Sequence, residues 1–158
     1  MAERDLTIEV QTPEPRWREA LGGSPEAFAV RVLRAVGESE GAAGEIAAML
    51  GGDDLVRTLN RVHRGQDRPT NVLSFPAGPP SNGFLGDIVL AYETVAREAA
   101  EQGKSLEAHA AHLLAHGFLH ILGYDHDLDC DAARMEARER AILASLGWPD
   151  PYAAESGH

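Results

Sequence analysis

Leu6, Ile8 and Val10 alternate with polar residues, a period of two that predicts a short first strand. Ser24-Pro25-Glu26 then reads as a helix start, with a hydroxyl cap, proline at the first helical position and an acid near the positive dipole end. Phe28, Val32 and Leu33 give that helix one apolar side, and Gly37 is its expected stop. Residues 45–50 contain alanines that suit a helix, but their shortness and flanking glycines favour a strand. Asp53 and Asp54 open a helix carrying Leu55, Leu59 and Val62. TNVLSFP, residues 70–76, reads as a buried strand ended by proline, and LGDIVLAY, residues 85–92, as another. A helix follows over 93–102, closed by Gly103; Ser105 caps the next, which runs to Gly123. The last helix lies between about Asp129 and Leu146, with Met135, Ile142 and Leu146 inward. Residues after Pro151 read as a loose tail, and 153–158 fall outside the domain. The expectation is an α+β fold: one domain over 1–152, with a mixed sheet of about four strands and about five helices.

The 158 residues suit one core, and 44% hydrophobic with 25% charged positions is an ordinary globular balance. No apolar run approaches the roughly 18 residues of a membrane span, and the acidic start does not read as a signal peptide. The lone cysteine, Cys130, leaves no internal disulfide, which points to a reducing cytoplasm. A net charge of −11 argues against broad nucleic-acid binding, so such a role needs a local basic patch.

The concentrated chemistry lies in HGFLHILGYDH. His109, His112, His116 and His120 share one helix and span an arc of roughly 80° at 100° per residue. His116 and His120, four apart, stack on one face, and Gly123 lets the chain reverse and return His126. Three imidazoles with an open fourth position form a catalytic rather than a structural zinc site. His109 and His112 read as core groups or as groups behind the ligands. Cys130 is a conceivable fourth ligand but fits a buried thiol better. Asp125 can orient a ligand histidine, while Asp127, Asp129 and Asp131 suit a solvated acidic turn. The spacing HxxxHxxGxxH is also that of the metzincin peptidases, whose general base directly follows the first histidine. Gly117 occupies that position here and cannot take a proton, so a peptidase is the second choice.

Arg57, Arg61, Arg64 and Arg68 fall at helical spacing and are the one concentrated basic feature. Guanidinium groups suit phosphate through paired hydrogen bonds. Arg134, Arg138 and Arg140 are interleaved with Glu136 and Glu139 and read as merely solvated.

HGFLHILGYDH, with LEAHAAH before it and MEARERAIL and LGWPDPY after it, resembles the YbeY family of bacterial endoribonucleases. So do LNRVHRGQDRPTNVLSFP at 59–76 and LGDIVLAYETVAREA at 85–99, and the likeness covers about residues 50–152. It implies a single-strand-specific, metal-dependent endoribonuclease in maturation of small-subunit ribosomal RNA and in ribosome quality control. It implies one zinc per chain on His116, His120 and His126, and partners in single-stranded RNA and the small ribosomal subunit, with neither membrane nor DNA. The family's important arginine matches Arg64, although His63 stands where the family commonly has tyrosine. In this scheme the metal polarises water or a phosphoryl oxygen and Arg64 stabilises phosphate charge. Arg57 and Arg61 are candidate RNA contacts. Asp87, Asp125, metal-bound hydroxide and the RNA 2′-hydroxyl stay open as the base. With TNVLSFP as a central strand, the junction before it can bring Arg64 beside the metal. A small-molecule hydrolase and a non-catalytic ribosome assembly factor also stay open as functions.

Overall fold

The structure, a computed structural model, describes residues 5–78, 83–124 and 129–152, with backbone alone at 129 and 130. His126 and Asp125, and the side chains of Asp129 and Cys130, therefore lie outside the described residues. Four strands form one mixed sheet: β1 (Leu6–Gln11), β2 (Gly44–Gly51), β3 (Val72–Pro76) and β4 (Phe84–Ala91). Their order is β1-β2-β4-β3, with β1, β2 and β4 parallel and β3 antiparallel to β4. The helices are α1 (Arg16–Ala20), α2 (Pro25–Glu40), α3 (Asp53–Arg64), α4 (Tyr92–Gln102), α5 (Leu106–Ile121) and α6 (Asp129–Ser145). The α+β fold is thus as expected, with the short α1 as a sixth helix among the described residues. Its Trp17 is fully buried and donates its indole N–H to the Gly51 carbonyl at 2.9 Å, pinning α1 to the end of β2.

One sheet face carries the main core, where Ile46, Leu50, Ile88 and Leu90 meet Val32 and Leu33 of α2 and Leu114 and Phe118 of α5. The other face carries α3, whose Val56 packs on Leu73, Val89 and Ala91. The alanine-containing segment at 45–50 is a strand because β1 and β4 both pair with it. At its start Gly44 has φ +122°, and a Cβ there would fall 2.2 Å from the Gly83 carbonyl oxygen, so glycine is required.

Three expectations are corrected. Gly37 does not stop α2; it is buried within it, where Leu6 of β1 fills the space of a side chain, and the helix ends at Gly41 in a left-handed cap. TNVLSFP is an edge strand, not a central one. Pro76 suits that position, because proline lacks the N–H that an interior strand must donate. Tyr152, the residue after Pro151, is not loose, since its ring meets His112 edge-on at 5.3 Å; the expected tail, 153–158, lies outside the described residues.

No helix among the described residues is long and apolar enough to cross a membrane.

Candidate metal and phosphate site

Ser105 caps α5 by accepting the Ala108 N–H at 3.0 Å, with Glu107 in the first turn, and the helix then presents its histidines in a row. His109 is buried, with Nε2 2.9 Å from Glu98 of α4. Burial holds its pKa below the usual histidine value despite that carboxylate. His112 and His116 follow, with ring centroids 6.1 Å apart, and His120 lies one turn further on, partly exposed.

Behind this row stands Glu139 of α6, with no solvent exposure. His116 Nδ1 lies 2.5 Å from Oε2, His112 Nε2 lies 3.0 Å from Oε1, and the Tyr152 hydroxyl also donates to Oε1. Burial alone would raise this carboxyl's pKa, but those three hydrogen bonds outweigh it and bring it down to about 2. Sequence reasoning missed Glu139, reading its surroundings as a solvated run. The signal was present: Met135, Glu139 and Ile142 lie at i, i+4 and i+7, on the buried stripe of α6. Arg138 is likewise not merely solvated, since its Nε donates to Glu40 of α2 at 2.9 Å.

His112, His116 and Glu139 offer ligand atoms within 4.8 Å of one another, close enough to hold a metal ion. This set of imidazole nitrogens and a carboxylate suits zinc and similar divalent ions.

The arginines behave as four different side chains rather than as one stripe. Arg57 pairs with Asp67 through Nε at 2.8 Å and Nη2 at 3.2 Å, and Arg61 approaches the same carboxylate at 4.0 Å. Arg68 turns to Gln66, beyond the Gly65 cap that ends α3. Arg64, in the last turn of α3, passes over the Phe75 ring and donates to the Ser74 carbonyl at 3.3 Å. His63 lies 5.0 Å from Phe75, centroid to centroid, so the position retains an aromatic contact. On its other side Ser74 meets α5: a Cβ placed on Gly117 would lie 3.0 Å from the Ser74 hydroxyl. Ser74 of the edge strand is thus touched by both elements, its carbonyl by Arg64 of α3 and its hydroxyl by the Gly117 position of α5.

Asp87 belongs to the α3 side of the sheet, across from Phe75 in the β3–β4 register. With Glu9, Met49, His63, Arg64 and Phe75 it lines an open cavity of about 820 Å³. Burial, and then the nearby Glu9, raise its pKa above the ordinary aspartate value.

These features define a class: α+β proteins with helix-borne imidazoles backed by a buried carboxylate, able to hold a metal ion, and an arginine brought to the adjoining strand edge. The family model described as Endoribonuclease YbeY matches residues 23–147. A protein of that name from Rhodopseudomonas palustris strain HaA2 is 48% identical over 149 residues, covering 87% of this chain and 76% of that protein. One from Halorhodospira halophila is 52% identical over 140 residues, covering 84% and 91%. A solution structure of a Thermotoga maritima protein shares the fold, with TM-score 0.59 at 23% identity over 89% of this chain and 92% of that one. The chain belongs to the YbeY endoribonuclease family.

Proposed function

We propose that this protein is a zinc-dependent endoribonuclease that cuts single-stranded RNA, with His116, His120 and His126 as the metal ligands. The observation that carries this reading is the placement of Arg64. It lies 52 positions before His116 in sequence, yet bonds to the strand edge that packs against Gly117, the neighbour of His116. An arginine bonded to the strand that packs against the histidine helix suits a phosphodiester better than a peptide, because guanidinium matches the non-bridging oxygens in geometry and charge.

Zinc, when bound, supplies Lewis-acid polarisation at the scissile phosphate. Arg64 binds a phosphate oxygen and stabilises the charge that grows there as the bond breaks. Asp125 and Asp87 are the chain's own candidates for accepting the attacking hydroxyl's proton; Asp87 lines the α3-side cavity with Arg64, on the sheet face opposite α5, so it serves only a substrate held there. Arg57 and Arg61, exposed beside Asp67, are secondary contacts for the RNA backbone. The family likeness supports a substrate in small-subunit ribosomal RNA during its maturation, and the cytoplasm as the compartment.

The direct test incubates the zinc-loaded protein with a labelled single-stranded RNA, the same RNA in duplex form, and casein. Only the single strand should be cut, chelation should stop the reaction, and added zinc should restore it. Cleavage of casein with the single strand left intact would replace this reading by the peptidase one.

A further inference from the structure

A carboxylate fully removed from water is costly unless its oxygens are satisfied. In Glu139 both oxygens have partners, drawn from two segments: Oε2 meets His116 of α5, while Oε1 meets His112 of α5 and Tyr152 beyond α6. His112 Nε2 and the Tyr152 hydroxyl are themselves 3.3 Å apart, so Oε1 closes a three-membered polar cluster.

These atoms include the ones that could ligate a metal directly. Their separations favour hydrogen bonding instead. Two donors about 2.0 to 2.2 Å from a tetrahedral zinc stand roughly 3.3 to 3.6 Å apart. The His116–Glu139 and His112–Glu139 separations are 2.5 and 3.0 Å, both shorter than that edge.

We infer that Glu139 is a positioning residue for the metal: it accepts the Nδ1–H of His116, fixes that tautomer, and turns Nε2 toward the ion. His112 and Tyr152 hold the other oxygen and keep the carboxylate from swinging toward the metal itself. This role rests on the reading of His116 as a ligand. A carboxylate behind a ligating imidazole raises its basicity and pre-orients the ring, and its loss typically costs about 10- to 100-fold in metal affinity.

The test compares the full-length protein with Glu139→Gln and Tyr152→Phe, the latter being the milder change should the first fail to fold. Zinc affinity is read by competition with a chromophoric chelator. The tautomer of His116 is read by nitrogen-15 NMR of the metal-free protein, and the ligand atoms by X-ray absorption of the zinc form. The expected result for Glu139→Gln is zinc binding about 10- to 100-fold weaker at an unchanged one-per-chain stoichiometry. His116 should pass from a pure Nδ1–H tautomer to a mixture, and Tyr152→Phe should move both readouts less in the same direction. Unchanged affinity and tautomer in a folded Glu139→Gln would overturn the role, as would a carboxylate oxygen in the parent's zinc shell that the variant lacks. Absence of zinc from the parent would remove the ligand reading and this inference together. Zinc binding without RNA cleavage would sink only the ribonuclease reading, because none of these readouts depends on turnover.

Discussion

Gly117 faces Ser74 so closely that a Cβ on the glycine would stand 3.0 Å from the serine hydroxyl and 3.1 Å from Ile88 Cγ2. The position after the first histidine of the HxxxH pair is therefore turned into the sheet rather than toward a substrate. A glutamate there would be a buried charge pressed against a strand, so the peptidase base is absent for reasons of packing as well as composition.

Gly117→Glu should accordingly yield no peptidase activity and should lose at least about 3 kcal/mol of stability, from overpacking and an unpaired buried charge. Thermal melting and a casein assay together check this. A stable, proteolytically active variant would show that this helix face meets substrate after all.

Metal binding is expected at one zinc per chain. His116→Ala and His120→Ala should each abolish it almost completely, because two remaining imidazoles seldom retain an ion that three hold. Elemental analysis after gel filtration gives the answer, and stoichiometric zinc in both variants would refute the ligand assignment.

Arg64→Glu should abolish RNA cleavage while zinc content stays unchanged. The cost in stability should be about 1 kcal/mol, the net worth of its bond to the Ser74 carbonyl. Arg57→Glu should weaken RNA binding and its salt dependence modestly, since Asp67 already neutralises much of that charge. Full ribonuclease activity in Arg64→Glu would remove the phosphate role and leave the metal site standing.

Glu40 joins α2 to Tyr124 and to Arg138 of α6, accepting at 2.8 and 2.9 Å. Burial opposes its ionisation, but bonds from Tyr124, Ser39 and Arg138 prevail and lower its pKa. A lowered folded-state pKa means stability that is present above the unfolded value of about 4.5 and is lost as pH falls through the folded one. Glu40→Gln should therefore melt below the parent at pH 7, by about 1.5 to 3 kcal/mol. That gap should narrow as pH drops below about 4.5. A gap that widens in acid would contradict the ion pair.

Local pattern was sufficient for the elements whose signals are local. The Ser24-Pro25 start, the Ser105 cap and the Gly103 stop all work through a few neighbouring hydrogen bonds, and the structure has them where the pattern puts them. The histidine row was legible for the same reason, since helical periodicity alone stacks His112, His116 and His120. Gly37 misled because a glycine inside a helix can serve a neighbour, here Leu6, that sequence does not bring near it.

What the sequence by itself determined was the fold class, the helix that carries the histidines and the family. Only the tertiary structure decided that β3 is an edge strand, that Arg64 donates to Ser74 within it, and that Glu139 lies behind His112 and His116. A glutamate between arginines looks solvated until its helix is packed, because burial depends on which face the rest of the chain covers. Once α6 lies against α5, the carboxylate either finds partners or bears the full cost of desolvation, and His112, His116 and Tyr152 are the partners it finds.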